Sequence, residues 1–432
     1  MSTFLFTLKD YHAVKDASIR LDGITVLAGA NGCGKSTVAR WVNTLVTLLN
    51  NYDSNIVSEA YSDYDDLEDS INRGSRITPD TRLEWNRITR DSLMPNDLEG
   101  MRSYTDSLIA RLVEMFEKHL TPQTFERNYL RLCSAYDLER TENETISDFL
   151  QRLSEKLRGV SDRIFRSALS RLKKHSLSNL REVLDYAMDP SIDSWPESIQ
   201  LSEEGAELLT QKEFFRPLTL SRAIYIDTQK ISDIVSPSLQ DSFHYLMRFD
   251  APSKSSKYAH ALATMIKKTI EGDVVVEKEN VGLSYRSEDL RFVREGVFNI
   301  LLKGAATGVI SFSCILRLLE NGWISKDTLL IIDEPEAHLH PQWIVEYARV
   351  LVMIRRYIGA KILISTHSPD MVAAIRSISE REEVLDTTYF YIAAKDEDTY
   401  KYRYLFLDHE IGPIFDSFNI AADRIDLYGA SE

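Results

Sequence analysis

Residues Gly29-Ala30-Asn31-Gly32-Cys33-Gly34-Lys35-Ser36-Thr37 read G-x-x-x-x-G-K-[ST], and with their flanks they constrain the fold more than any other stretch. Before them, Ile24–Ala28 is a short apolar run of buried-strand type. After them, Val38, Trp41, Val42, Leu45 and Leu48 recur at helical spacing. A strand, a glycine turn and a helix in that order is the context the pattern requires. The glycines let successive backbone N–H groups turn inward around phosphate oxygens, and the helix N-terminus adds the positive end of its dipole. Gly29 through Thr37 are therefore expected to cradle phosphates. Lys35 is expected to reach the β- and γ-phosphates of a nucleotide, and the Ser36 hydroxyl to ligate Mg²⁺.

Two later segments repeat the theme of an apolar strand with a polar end. Leu329-Leu330-Ile331-Ile332 runs into Asp333-Glu334-Pro335-Glu336, which puts carboxylates at the strand's C-terminal edge. That edge is where open α/β sheets place ligands. Asp333 is expected to hold Mg²⁺ directly or through water, and Glu334 to orient and deprotonate an attacking water. Ile362-Leu363-Ile364 leads into Ser365-Thr366-His367-Ser368-Pro369. His367 follows Glu334 by one helix and one strand, which sets it on a neighbouring strand end. There its imidazole can hydrogen-bond the γ-phosphate or the attacking water.

Together these motifs resemble the ATP-binding-cassette type of AAA ATPase in its recombination-and-repair branch, alongside structural-maintenance, RecF-like and overcoming-lysogenization-defect ATPases. The resemblance covers about 1–50 and 220–380 and rests on ANGCGKST, IIDEPEAHLHPQW and ISTHSP. It implies ATP and Mg²⁺ as cofactors and His367 as a switch histidine. It implies a D-loop at Glu336, Ala337 and His338 that crosses to a partner subunit. Gln229 looks like a Q-loop glutamine sensing Mg²⁺ and the γ-phosphate, although many glutamines end strands without a catalytic role. Such ATPases close two nucleotides between two subunits, each site completed by a signature turn from the partner. The segment that corresponds is Gly304-Ala305-Ala306-Thr307-Gly308. It departs from the Leu-Ser-Gly-Gly-Gln pattern, with Ala306 at the serine position and Val309 at the glutamine position. Thr307 and Gly308 at a helix N-terminus are what remains to meet a γ-phosphate in trans.

The implied fold is α/β: a P-loop ATPase with a mixed or parallel central sheet, N-terminal antiparallel strands and an inserted α-helical lobe. The expected division is 1–53 for the first part of the core, 54–205 for the insertion and 206–432 for the rest. Asn51 to Ser70 is rich in Asp and Glu with few aliphatics, which reads as an exposed loop or frayed helix. From 85 to 185 apolar residues recur at helical spacing, as in Leu108, Leu112, Met115 and Phe116. Thr387–Ala393 and Tyr402–Leu407 read as a hairpin. H-x-H at His338 and His340 is not zinc-protease spacing and reads as a turn into a helix with Pro341 at its first position.

Composition sets the remaining bounds. With 44% hydrophobic and 27% charged residues the chain is of the folded kind. Three cysteines without a CxxC pair suit a reducing cytoplasm. No signal peptide and no long apolar span is apparent, so no membrane partner is expected. A net charge of −15 argues against coating nucleic acid over the whole surface. Between Arg152 and Arg181, however, nine basic residues face only two acidic ones. That segment is a candidate contact for DNA or RNA phosphates or for an acidic partner.

Two functions follow as expectations. One is a homodimer or higher homo-oligomer that hydrolyses ATP and drives conformational control of a nucleic-acid or effector partner. The other is a slow ATP-bound scaffold that sequesters a separate nuclease or toxin, for which the divergent signature turn speaks. A repair or recombination ATPase is a further alternative. Sixty-five residues follow His367, short for a TOPRIM nuclease domain, and no HNH pattern is present. The chain thus also resembles ATPase subunits of bacterial anti-phage systems of the Septu, retron-associated and PARIS types, in which a partner carries the nuclease.

Overall fold

The computed structural model describes residues 3–89, 95–187, 194–228, 246–247, 249, 251, 256–281 and 285–417. The chain divides into two compact units. One holds 1–50, 191–210 and 214–432, and the other 51–190 with 211–213.

Among the described residues, the first unit is built on a ten-stranded sheet. Phe4–Tyr11 (β1) and Val14–Arg20 (β2) form an antiparallel hairpin whose alternating burial follows the alternation of the sequence. Ile24–Ala28 (β3), Arg222–Asp227 (β6), Thr328–Asp333 (β10) and Lys361–Thr366 (β11) run parallel, in the order β3-β11-β10-β6. Every residue of β3, β10 and β11 is buried, as continuous apolar runs demand when both faces of a sheet are covered. Thr388–Lys395 (β12) lies parallel to β3 and turns back antiparallel into Tyr402–Asp408 (β13), the expected hairpin. The α/β class, the mixed sheet and the antiparallel N-terminal strands are all present.

Ser198–Glu203 (β4) pairs antiparallel with β1, and Ala206–Glu207 (β5) pairs with β4. The expected end of the insertion at 205 therefore falls beyond a strand of the core sheet. The reason is local. The outer edge of β1 needs hydrogen-bond partners, and Leu201 is fully buried once β4 supplies them.

Helices cover the parallel strands. Lys257–Ile270, Thr307–Glu320, Pro341–Ile358 and Pro369–Arg381 share one apolar cluster with Ile24, Val26, Leu330, Ile332, Ile362 and Ile364. Two of these helices start at motif residues. Pro341 and Pro369 occupy first-turn positions, where a missing N–H costs nothing, and Ser368 caps the second through the Met371 amide at 3.3 Å. A small antiparallel sheet, Asp273–Val281, Tyr285–Arg294 and Phe298–Leu301 (β7–β9), belongs to the same unit.

The second unit is helical. The helix that follows the glycine turn, Lys35–Ser75 (α1), continues unbroken through the acidic stretch expected as a loop or frayed helix. Tyr52, Ile56, Ala60, Tyr64, Leu67 and Ile71 are buried at spacings of three and four. The acids occupy only the exposed arc between them, and the apolar stripe uses tyrosines as well as aliphatics. Pro79–Thr89, Leu98–His119, Pro122–Ala135, Ile146–Lys173 and Leu177–Ala187 (α2–α6) follow. Trp85, Phe116, Phe149 and Leu153 lie at the centre of the unit's own core. Side-chain capping boxes at Thr121/Thr124 and Thr145/Asp148 start α4 and α5.

Candidate nucleotide site

The turn between β3 and α1 takes its shape from glycines. Gly32 and Gly34 have φ of 79° and 91°, and a Cβ on Gly34 would meet Val14 Cγ2 at 2.7 Å. Lys35 is 4% exposed, its Nζ donating to the carbonyls of Gly29 at 2.9 Å and Ala30 at 3.0 Å. The Cys33 thiol is buried 3.9 Å from the same Nζ, filling a slot under the loop. From β13, the Tyr404 hydroxyl donates to the Cys33 carbonyl at 3.2 Å. Burial, then the neighbouring Cys33, pushes that phenol well up.

A cavity of about 400 Å³ opens over this turn, lined by Ala13, Asn31, Gly32, Gly34, Lys35, Ser36, Thr37 and Glu334. Distant parts of the sequence thus meet at one place. Glu334 stands in the left-handed region with φ 51°, its N–H donating to the Ser365 carbonyl at 2.8 Å. The Thr228 hydroxyl lies against the carbonyl oxygens of Asp333 and Glu334. Glu334 thus lines the cavity, whereas Asp333, buried at the end of β10, is not among its lining residues.

Both Asp333 oxygens accept hydroxyl hydrogens, Oδ1 from Ser365 and Oδ2 from Tyr225 at 2.9 Å. Tyr225 in turn accepts from Arg40 Nε at 3.4 Å, and Arg40 Nη2 stands 3.4 Å from Asp227 Oδ2. Burial and then the Asp333 charge raise the Tyr225 phenol, which stays protonated and a donor. For Arg40, burial pulls the guanidinium down, but Tyr225, Asp227 and Asp333 outweigh it and its pKa is raised.

His367 Nδ1 lies 3.5 Å from Glu334 Oε1 and 3.3 Å from Glu336 Oε1. Glu336 is almost wholly buried, and its Oε1 accepts from Thr366 Oγ1 at 2.7 Å and the His367 N–H at 2.8 Å. Its side chain is therefore engaged within its own chain, at the end of β11. The carboxylate satisfies a hydroxyl and an amide that the end of β11 leaves open. His338 stands at φ 62°, and His340 caps the helix that starts at Pro341. No cluster of three or more His, Cys, Asp or Glu able to hold a metal occurs among the described residues.

Other expected residues lie elsewhere. Thr307 and Gly308 open the helix Thr307–Glu320 and do not line the cavity of their own chain. A Cβ on Gly308 would stand 3.0 Å from Leu339 and Trp343, so this glycine lets the helix start pack against the segment after Glu336. Ala306, at the N-cap, makes no side-chain cap bond. Gln229 lies outside the described residues. Tyr225, Arg40, Thr228 and Tyr404 went unread in the sequence because none belongs to a motif. What brings Tyr225 to Asp333 is strand register, which pairs Tyr225 and Asp227 of β6 with Ile331 and Asp333 of β10.

A family model described as AAA ATPase domain matches residues 5–372. The chain belongs to that family. This AAA ATPase domain binds and hydrolyses ATP. Among solved structures it is similar to the SMC head domain from Thermotoga maritima, at 8% identity and TM-score 0.37, over 94% of this chain and 99% of that one. It is likewise similar to an SMC head bound to the C-terminal winged-helix domain of ScpA, at 10% identity and TM-score 0.41, over 94% and 98%. An ATP-binding cassette of an ABC transporter in its ADP conformation gives 9% identity and TM-score 0.35 over the whole of both chains. No curated protein matches the ATPase by sequence. Among its described residues no helix is long and apolar enough to cross a membrane.

Proposed function

We propose that ATP binds with its phosphates on the Gly29–Thr37 turn and that Glu334 is the catalytic residue that takes the proton of the attacking water. One observation carries the reading: Glu334, 299 residues from Lys35 in sequence, lines the same cavity as Lys35 and Ser36. Lys35 leaves its own loop carbonyls for the β- and γ-phosphate oxygens, which replace two neutral acceptors with charged ones. The water oxygen forms a bond to the γ-phosphorus, the bond from that phosphorus to the bridging oxygen breaks toward ADP, and the water's proton goes to Glu334. His367, in contact with Glu334, orients the carboxylate or the γ-phosphate. The Ser36 hydroxyl and the Asp333 carboxylate are oxygen donors of the hard kind that suits Mg²⁺, which neutralises phosphate charge when bound. Gln229 is proposed as a further contact to Mg²⁺ and the γ-phosphate.

The partner reading extends this. Two chains sandwich two nucleotides, with Thr307 and Gly308 of each meeting the γ-phosphate held by the other. The absence of a side-chain cap at Ala306 supports it, because the first amides of that helix are not committed to a cap. The same missing hydroxyl favours slow turnover, hence the second reading of an ATP-held scaffold for a nuclease or toxin in anti-phage defence. Nucleic acid is a weaker partner, since Arg152, Lys156, Arg166 and Arg171 already pair with Glu144, Asp137, Asp162 and Glu59. The decisive experiment is the mass of Glu334→Gln with and without ATP and Mg²⁺. A doubled mass with ATP is expected, and a monomer under both conditions contradicts the sandwich. Copurification from the native operon identifies the effector, and the steady-state rate separates engine from scaffold.

A further inference from the structure

The hydroxyl pair on Asp333 reaches beyond the motifs. Ser365 comes from ISTHSP, but Tyr225 comes from β6, where it stands beside Ile331 in parallel register. From there its hydroxyl reaches Asp333 Oδ2 at 2.9 Å. Tyr225 is itself held by Arg40, on α1 just over one turn beyond Lys35, and Arg40 is anchored at Asp227, the β6 residue opposite Asp333. A line of hydrogen bonds thus runs Arg40 to Tyr225 to Asp333, joining the helix of the phosphate turn to the carboxylate at the end of β10.

We propose that Tyr225 is a positioning residue that fixes the orientation of the Asp333 carboxylate toward the divalent cation of the bound nucleotide, with Arg40 holding Tyr225 in place. A carboxylate has about four lone-pair positions. Two hydroxyl donors, one per oxygen, lock its plane and leave the remaining positions in one fixed direction. With Tyr225 gone, Ser365 alone holds one oxygen and the carboxylate can rotate about that bond. The inference rests on the reading that Asp333 serves the cation.

The test measures binding of adenylyl imidodiphosphate to the full chain by calorimetry, once with Mg²⁺ and once with EDTA. The ratio of the two affinities is the readout, and the unfolding temperature is recorded alongside. Tyr225→Phe is expected to lower the ratio about tenfold, the worth of one hydrogen bond to a charged group, with EDTA affinity unchanged and a modestly lower unfolding temperature from the lost buried bond. An unchanged ratio overturns the proposal, as does an equal loss with and without Mg²⁺. Arg40→Lys keeps the charge but not the Nε donor, and it carries the test if Tyr225→Phe folds poorly. A loss of a few-fold in the same ratio is expected, and no loss overturns the proposal. Asp333→Asn in the same series separates the layers. A wild-type ratio there refutes the assignment of Asp333 to the cation, whereas a lost ratio there with an intact one in Tyr225→Phe refutes Tyr225 alone.

Discussion

At the scale of single residues, Glu334 concentrates the conflict between stability and function. A glutamate at φ 51° is strained by about 1–2 kcal/mol relative to the right-handed region. What holds it there is backbone bonding, its N–H to Ser365 and its carbonyl to Thr228. Glycine at that position removes the strain but adds about 0.5–1 kcal/mol of unfolded-state entropy. Glu334→Gly is therefore expected to unfold at the wild-type temperature or above it while losing ATP hydrolysis, as calorimetry and a phosphate-release assay would show. The motif residues around this position were legible because their chemistry is compressed into short strings. Tyr225 was not, because its contact with Asp333 is set by strand register, which no single segment encodes. Glu336 is a related case. Its place in a motif says nothing of which side chain it will bind, and the end of β11 claimed it.

Elements show the same division. β10 and β11 were legible as apolar runs with polar ends, because a strand buried on both faces has no room for alternation. The second half of α1 was not, since counting aliphatics missed the tyrosines of its buried stripe. The β12–β13 hairpin offers a test at this level. At its turn, Asp396 accepts from Lys15 Nζ at 2.8 Å, Thr399 Oγ1 at 2.9 Å and Arg403 Nε at 3.1 Å. The Lys15 and Thr399 hydrogen bonds hold its carboxyl well below the usual carboxylate range. A depressed folded pKa means stability that is fully present above the ordinary value and lost as pH falls through the folded one. Asp396→Asn should therefore unfold at a lower temperature than wild type at neutral pH, with the gap closing below about pH 4. A gap that persists undiminished into acid contradicts the ion-pair account. In the helical unit, Leu153 is fully buried among Phe149, Phe116 and Leu157. Leu153→Ala should destabilise that unit by about 2–5 kcal/mol in denaturant unfolding followed by helical signal.

For the molecule as a whole, the net charge of −15 conceals an uneven distribution. The acidic arc of α1 and the basic segment of α5 and α6 belong to one unit, where Arg171 and Glu59 already pair at 2.7 Å. The Gly29–Thr37 turn, Glu334 and His367 all belong to the other. ATP should accordingly stabilise the unit that binds it by mass action, about 2.7 kcal/mol at a hundred times the dissociation constant, and not in Lys35→Ala. The account as a whole stands on Glu334 being the base above a phosphate turn that does the binding. Single-turnover hydrolysis of ATP by Glu334→Gln, with binding measured on the same sample, tests it most directly. The predicted result is wild-type ATP affinity with hydrolysis slowed by about 10²-fold or more. Wild-type turnover in Glu334→Gln would contradict it.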